Sequence, residues 1–310
     1  MCFLTLSVSP LASEESLKNL IKYDKAICLE RLEKATNEEL WDAFLEGQAE
    51  LFFEPEFQWI ANQGWWKDVK SILEIGSGNG AYLSTLADHF PEKTFYGVEK
   101  VSLSVKHANE RYARDRIVFT EGDAEIFNEQ LVNSFEGVLF RLTLQHLKNP
   151  LLALQNTWHY LQSNGYVLII DSCDSAKKTS HPITTIDVAL KLVAESQRNK
   201  GIGNRKITLE MLQMLENEQS HLSDLYEIVS SNLDVTGKFL HENTRLEGEQ
   251  SRKLYFNHNL LFLALLHRTY HVQIDLDKAY NELKEYLEDE NAWTVLGMHY
   301  LVIKKKLGTL

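Results

Sequence analysis

The segment Ile72-Leu73-Glu74-Ile75-Gly76-Ser77-Gly78-Asn79-Gly80 is where this 310-residue chain most plainly could do chemistry. An apolar run leads straight into three glycines at alternate positions, and helical spacing follows. Such a turn lets the backbone approach a ligand closely and presents helix N-terminal N–H groups to it. Alone, the segment leaves its ligand open. Gly76, Gly78 and Ala81 also fit G-x-G-x-x-A, the dinucleotide fingerprint, and a purely structural turn satisfies the same spacing. Acids recur downstream. Glu99 closes the second apolar run, where a carboxylate can accept from both ribose hydroxyls. Gly122-Asp123-Ala124 follows the third, where a carboxylate can accept from an adenine amino group. Arg141 ends the fourth run and His146 lies just beyond it. Arg141 could grip a carboxylate or phosphate, or fix a loop through an ion pair. His146 could take a proton from an acceptor, contact a ligand, or only hold its loop. Asp171 and Asp174 flank Cys173 after the fifth run, in reach of a substrate or lid.

Positioning these residues takes a repeating scaffold. Residues 13–64 read as helical, with Thr36 and Glu39 forming a capping box. Glu54-Pro55 is expected to break that helix before a short segment that stops at Gly64. Short apolar runs then alternate with helices: strands over 71–75, 94–98, 117–120, 137–140 and 166–171, with helices over 81–89, 103–112 and 124–132 and one opened by Asn149-Pro150. Right-handed crossovers make this a parallel sheet covered on both faces. Beyond it come helices over 183–198 and 209–219, a sixth strand in 226–235, helices over 249–267 and 275–288, and a last strand over 299–303. The expected fold is α/β, doubly wound and Rossmann-like: a seven-stranded, mostly parallel sheet whose last strand is antiparallel. Residues 1–66 form an N-terminal helical cap. Residues 67–310 form the main domain, with a helical insertion around 175–223.

Composition narrows the partners. The net charge is −12, and gripping nucleic acid needs a basic footprint that this chain lacks. Cys2, Cys28 and Cys173 make neither a disulfide framework nor a metal pattern. No apolar run reaches a membrane span, and no Lys or Arg precedes the opening MCFLTLSVSPLA, which reads as a tail rather than a signal peptide. A cytoplasmic protein without metal, membrane or nucleic-acid partner is expected. Lys304-Lys305-Lys306 reads as a solvated charge run. The aromatics Phe52, Phe53, Phe57, Trp59, Trp65 and Trp66 read as core that could include a cap over a cationic ligand.

The motifs together resemble class I S-adenosylmethionine-dependent methyltransferases. ILEIGSGNG is similar to their motif I, Glu99 to the motif II acid and Asp123 to the motif III acid. Phe140-Arg141-Leu142-Thr143-Leu144-Gln145-His146-Leu147 with Asn149-Pro150, and the run from Leu161 to Asp171, resemble stretches of the UbiE/type-11/type-23-like group. One departure is Glu136-Gly137, where that group usually places Asp at the start of strand four. The resemblance implies S-adenosyl-L-methionine as cofactor. It implies that Glu74, Gly76, Ser77, Gly78 and Gly80 surround the amino-acid end, Glu99 holds the ribose, and Asp123 with the Ala124 N–H holds adenine. Arg141 and His146 would then lie beside the sulfonium and the acceptor, as the catalytic candidates. No Asp/Asn-Pro-Pro-Tyr/Phe sequence is present, which argues against the amino-group methylation that uses it. The leading expectation is in-line methyl transfer to a small molecule at O, N or C. A protein or peptide acceptor, a non-catalytic S-adenosylmethionine-binding scaffold and a nicotinamide enzyme stand behind it.

Overall fold

The computed structural model describes residue 17 and residues 19–233, 236, 245–269 and 272–307. The opening MCFLTLSVSPLA and the end of the expected 226–235 strand lie outside these residues. Helix α1 (Lys25–Lys34) starts where the Asp24 side chain accepts the Ile27 N–H at 3.0 Å. Helix α2 (Asn37–Ala61) opens on the expected capping box: Thr36 Oγ1 accepts from the Glu39 N–H, and Glu39 Oε2 accepts from the Thr36 N–H.

Pro55 does not end α2, contrary to the expected break. An interior proline costs about 3 kcal/mol through a lost N–H and a ring clash, so packing on both sides must outweigh it. Leu51, Phe52 and Phe53 before it and Ile60 after it are buried. Glu56, its immediate neighbour, is fully buried and accepts from Arg141 Nε at 2.7 Å.

The alternation then follows: β1 (Ser71–Ile75), α3 (Ala81–His89), β2 (Thr94–Glu99), α4 (Ser102–Tyr112), β3 (Ile117–Glu121), β4 (Phe135–Arg141), α5 (Pro150–Tyr160) and β5 (Leu161–Ser172). The 124–132 helix does not form; only a short turn at Glu129–Leu131 remains. Side chains there bond the backbone instead. Asp123 Oδ1 accepts from Glu125 N–H, Asn128 Oδ1 from Gln130 N–H, and the Tyr160 hydroxyl from Asn128 N–H. After β5 come β6 (Lys178–Thr179), α6 (Thr184–Lys200), α7 (Ile207–Glu216), α8 (His221–Leu225), β7 (Tyr226–Ser231), β8 (Arg245–Glu247), α9 (Glu249–Thr269), α10 (Leu276–Glu288), β9 (Trp293–Val295) and β10 (Met298–Lys305).

Among the described residues a seven-stranded sheet runs β3-β2-β1-β4-β5-β10-β7. The first five strands are parallel, with Ile72 opposite Phe95 on one side and Gly137 on the other. The last strand, β10, is antiparallel to both β5 and β7. This is the expected doubly wound, Rossmann-like architecture. A second sheet, β6-β9-β8, was not foreseen. Its strands have two or three residues each, too few for period-2 alternation to register.

Apolar clusters fill both faces of the large sheet: α2, α3 and α9 supply one, α5 and α7 the other. The lysine run is no solvated tail. Lys305 is buried, donating to the Leu161 carbonyl at 2.7 Å over the Trp158 ring, and Lys306 donates to the Ser223 carbonyl. These aliphatic stems cross the end of the sheet, and each ammonium meets a carbonyl, buried for Lys305 and half-buried for Lys306. Glu136, the departure from the family pattern, is structural. Its carboxylate accepts the Lys70 and Ser71 N–H groups and pins the start of β1.

Because the Glu56–Arg141 pair is buried, losing one partner strands the other. Glu56→Ala should lower the unfolding free energy by about 3–5 kcal/mol, whereas Asp88→Ala, at the surface pair with Arg114, should cost at most about 1 kcal/mol. Urea denaturation of both variants checks the contrast.

Candidate functional site

Strand order reverses between β1 and β4, and ligands of open α/β sheets bind at the carboxyl ends of strands there. A cavity of about 530 Å3 opens at that point. Glu74, Gly76, Ser77, Gly78, Glu99, Asp123, Ala124, Arg141 and His146 all line it, so the structure brings together every site candidate except Gly80. Gly80 acts behind the wall. It starts α3 at φ +82°, and a Cβ there would stand 2.8 Å from the Phe119 ring.

The glycine turn is held open for a ligand from several sides. Gly76 sits at φ +78°, and any side chain there would collide with Thr143. Glu99 Oε2 accepts the Gly78 N–H at 3.0 Å while Oε1 accepts the Val101 N–H at 2.9 Å. The end of β2 thus fixes the turn, and each oxygen keeps acceptor capacity. Asp123 Oδ2 pairs with Lys100 Nζ at 2.7 Å. That hydrogen bond, with the Glu125 N–H, holds the carboxyl below its usual range.

Glu74 differs from these acids. Its side chain is buried, and Oε2 has no hydrogen-bond partner among the described residues. Burial pushes its pKa up to about 8; nearby Arg141 opposes this, while Glu56 and Glu99 add to it. The Ser77 hydroxyl is likewise buried without a partner. An orphaned buried acid and hydroxyl beside a side-chain-free cradle fit a ligand with a cationic, hydrogen-bonding end, as S-adenosylmethionine has.

At the β4 exit Leu142 adopts φ +52°, an uncommon conformation for a branched side chain, and its N–H donates to the Ile170 carbonyl at 2.7 Å. Strain of this kind costs about 1–3 kcal/mol and persists where surroundings over-determine it. His146 follows, its ring open to the cavity. The protein atoms crowded round the ring at the cavity wall, and then the charge of Arg205, lower its pKa below the usual imidazole value. Asp171 is not in the cavity wall. Its carboxyl, pushed up to about 7 by burial, accepts from the Gln145 and Ser172 N–H groups. Asp174 holds Arg205 through two contacts of 2.7 Å. Cys173 is buried.

The sequence reading missed the face of α2. Glu38, Trp41, Asp42, Leu45 and Gln48 recur at helical spacing and, with Phe44, form one wall. Leu45 lies so close that a Cβ on Gly78 would stand 3.2 Å from it. Asp42 latches this wall down, accepting from Asn79 Nδ2 at 2.9 Å and Arg111 Nη1 at 2.6 Å, with His107 Nδ1 3.3 Å away. The aromatics read as core pack as core and none lines the cavity: Phe53 and Phe57 against His89, Trp59 on Tyr300, Trp65 on Tyr166, Trp66 on Phe90, and Phe52 beside His258. The mixed helical face, with Trp41 and Gln48 among charges, was the signal available for the true wall.

A model of the methyltransferase domain matches residues 67–295. The chain belongs to the methyltransferase-domain family. Over 112 residues it is 32% identical to a tRNA U34 carboxymethyltransferase of Helicobacter pylori (strain J99), covering 33% of this chain and 42% of that one. Over 77 residues it is 31% identical to the methyltransferase ungE' of Aspergillus campestris, covering 24% and 22%. The chain thus spans less than half the length of these relatives. Among solved structures, the plantazolicin methyltransferase BpumL in complex with SAH is 14% identical, with 93% and 95% covered and a TM-score of 0.46. A putative sarcosine dimethylglycine methyltransferase from Galdieria sulphuraria is 13% identical, with 80% and 84% covered and a TM-score of 0.45.

Glu74 makes the ligand-free protein sensitive to alkali. Its folded pKa is raised, so its contribution is complete below the unfolded value of about 4.3 and is lost as pH rises through about 8. Between about pH 7 and pH 8.5 the melting temperature should therefore fall in the wild type and fall less in Glu74→Gln. Equal slopes in a thermal-melt series would refute this account of Glu74.

Proposed function

We propose that the protein transfers a methyl group from S-adenosyl-L-methionine to a small-molecule acceptor at O, N or C, within the UbiE/type-11/type-23-like group. The observation that carries the reading is one cavity in which nucleoside-type acids, Glu99 and Asp123, meet the buried unpaired Glu74 and the exposed ring of His146. When bound, the cofactor supplies an electrophilic methyl on a sulfonium. Glu99 receives the ribose hydroxyls, and Asp123 with the Ala124 N–H receives the adenine edge. That methyl would be open to an acceptor lone pair, with the neutral sulfide as the leaving group. Because the sulfonium leaves readily, the protein contributes mainly alignment, which can lower a barrier by roughly 7–11 kcal/mol. His146, neutral at pH 7, takes the proton of an acceptor that arrives protonated. Arg141 positions the wall beside it. Residues 1–66 act as a cap over the 67–310 domain, excluding water through the α2 face.

The tRNA-modifying relatives raise RNA as an acceptor. A net charge of −12 and a lining that includes Glu38, Asp42, Glu99 and Asp123 favour a small molecule instead, since phosphates repel such a mouth.

Glu99→Ala should weaken S-adenosylmethionine binding by about 1–3 kcal/mol, through lost ribose contacts and a loosened turn. Asp123→Ala should weaken it less, because Lys100 already shares that carboxylate. Isothermal titration decides, and unchanged affinity in both variants would remove the cofactor assignment.

With an acceptor found by transfer of labelled methyl in extracts, His146→Ala should lower turnover by about 10²–10⁴-fold and leave cofactor affinity nearly unchanged. The deficit should shrink at high pH as the acceptor ionises unaided. Wild-type turnover across pH 6–9 in this variant would show that alignment alone suffices.

A further inference from the structure

The turn that carries His146 is held from one side by a charge. Arg205, in the α6–α7 connection, gives Nε and Nη2 to Asp174 at 2.7 Å each, and Nη1 to the Gln145 side-chain oxygen at 3.1 Å. Gln145 directly precedes His146 and is 3% exposed. Its N–H donates to Asp171 at 3.1 Å, and its side-chain oxygen also accepts from Ser172 Oγ. The chain before Arg205 presses on the same place: Gly203 sits at φ +76°, and a Cβ there would stand 2.7 Å from the Gln145 carbonyl oxygen. A clamp alone does not need a charge. Ion pairs near the surface add little net stability, and apolar packing would hold the turn as firmly. What an arginine adds is a permanent cation in a fixed place.

That cation faces the turn. Asp174 engages Nε and Nη2 and leaves Nη1 to the neighbour of His146. The Asp174 side chain is 40% exposed and that of Arg205 15%, so water screens the acid more than the guanidinium. We propose that Arg205 is a positioning residue for His146: it orients the turn through Gln145, and its charge keeps the ring free of a proton so that the ring can take one from an acceptor. The inference rests on the function proposed above, in which His146 is the base.

Other titratable groups stand on the elements around the ring. Asp171 comes from β5 and Glu210 from α7, where Asn204 Nδ2 donates to Glu210 at 2.7 Å. Lys148 follows on the chain, Lys206 lies beside Arg205, and Glu125 accepts from the Asn149 N–H. Across the cavity are Glu38 and Asp42 from α2, His107 from α4, the Lys100–Asp123 pair, and Glu74, Glu99 and Arg141 at the strand ends. Asp42 is engaged by Arg111, and Glu99 by two backbone N–H groups. Among the described residues, the protein atoms round the ring oppose its proton first and the charge of Arg205 second. The sign of each change follows. Losing the cation raises the ring's affinity for a proton, and losing the anion does not. A turn that was merely loosened would admit water and raise that affinity in both cases.

Proton NMR titration of the His146 ring in the full chain, its signal assigned by loss in His146→Gln, tests this. Arg205→Gln should move the titration midpoint up by about one pH unit. Asp174→Asn, which keeps an acceptor for Arg205, should leave it at or below the wild-type value. Arg205→Lys keeps the charge without the fork; it should stay nearer the wild type than Arg205→Gln and serves if the glutamine variant does not fold. On the acceptor found by labelled-methyl transfer, the acid limb of the kcat profile should rise with the ring in Arg205→Gln, with KM nearly unchanged. Midpoints that rise alike in the Arg205→Gln and Asp174→Asn variants, or move in neither, overturn the proposal and reduce Arg205 to a structural clamp. If the ring shifted as expected but His146→Ala kept wild-type turnover, the base reading would fail, and this use of Arg205 with it.

Discussion

A buried arginine cannot give up its charge, and the architecture of this protein follows from where Arg141 finds a counter-charge. Its guanidinium lies at the carboxyl end of β4, largely shielded from water, over the Tyr82 ring at 4.0 Å. Removing such an ion from water without a partner costs several kcal/mol. The partner, Glu56, comes from a helix that precedes the whole sheet in the chain. That one pair ties α2 across the strand-order reversal, and the other contacts of α2 can then form: Asp42 to Asn79 and Arg111, and Leu45 over Gly78. Helix α9 backs the arrangement, with His258 stacked 4.9 Å from Phe44.

The low dielectric that makes this pair necessary also differentiates the acids of the cavity. Asp123 and Asp42 are held ionised by cations and amides within hydrogen-bond reach. Glu74, a few residues from the same turn, has no cation of its own, because Arg141 is already engaged. Identical chemistry on neighbouring strands therefore gives acids that are charged before a ligand arrives and one that is not. Their difference comes from burial and from competition for one guanidinium.

This division also explains what the sequence made legible. Strand and helix periods are local, so β1 to β5, their helices and the long helices near the end could be read from spacing. The glycine turn and the acids of β2 and β3 were legible because ligand chemistry constrains residue types within a few positions. The course of α2 through Pro55 was not, because its cause is Arg141, far along the chain. The 124–132 segment failed the other way: its helical spacing was real, but Asp123, Asn128 and Tyr160 offered its backbone better partners. Phe52–Trp66 read mainly as core and pack there, whereas the wall is the mixed face of Trp41, Asp42, Leu45 and Gln48. A mixed face is hard to read from one sequence, since solvent and a polar cavity select the same residue types.

If alignment supplies most of the rate, the loop that carries His146 must be stiff, and the groups around Gln145 account for that stiffness. The Gln145 N–H donates to buried Asp171, and its side-chain oxygen accepts from Ser172 Oγ and from Arg205 Nη1 at 3.1 Å. Arg205 is itself gripped by Asp174. The Asn204 N–H adds a bond to the Gln145 carbonyl at 2.8 Å, and the Gly203 N–H one to Leu147. Residues from β5 and from the α6–α7 connection thus converge on the position next to His146 and leave its ring facing the cavity. The positive φ of Leu142 fits the same design, because a strained turn persists only where its surroundings fix it. Asp171, Asp174 and Arg205 thus limit the conformations open to this loop.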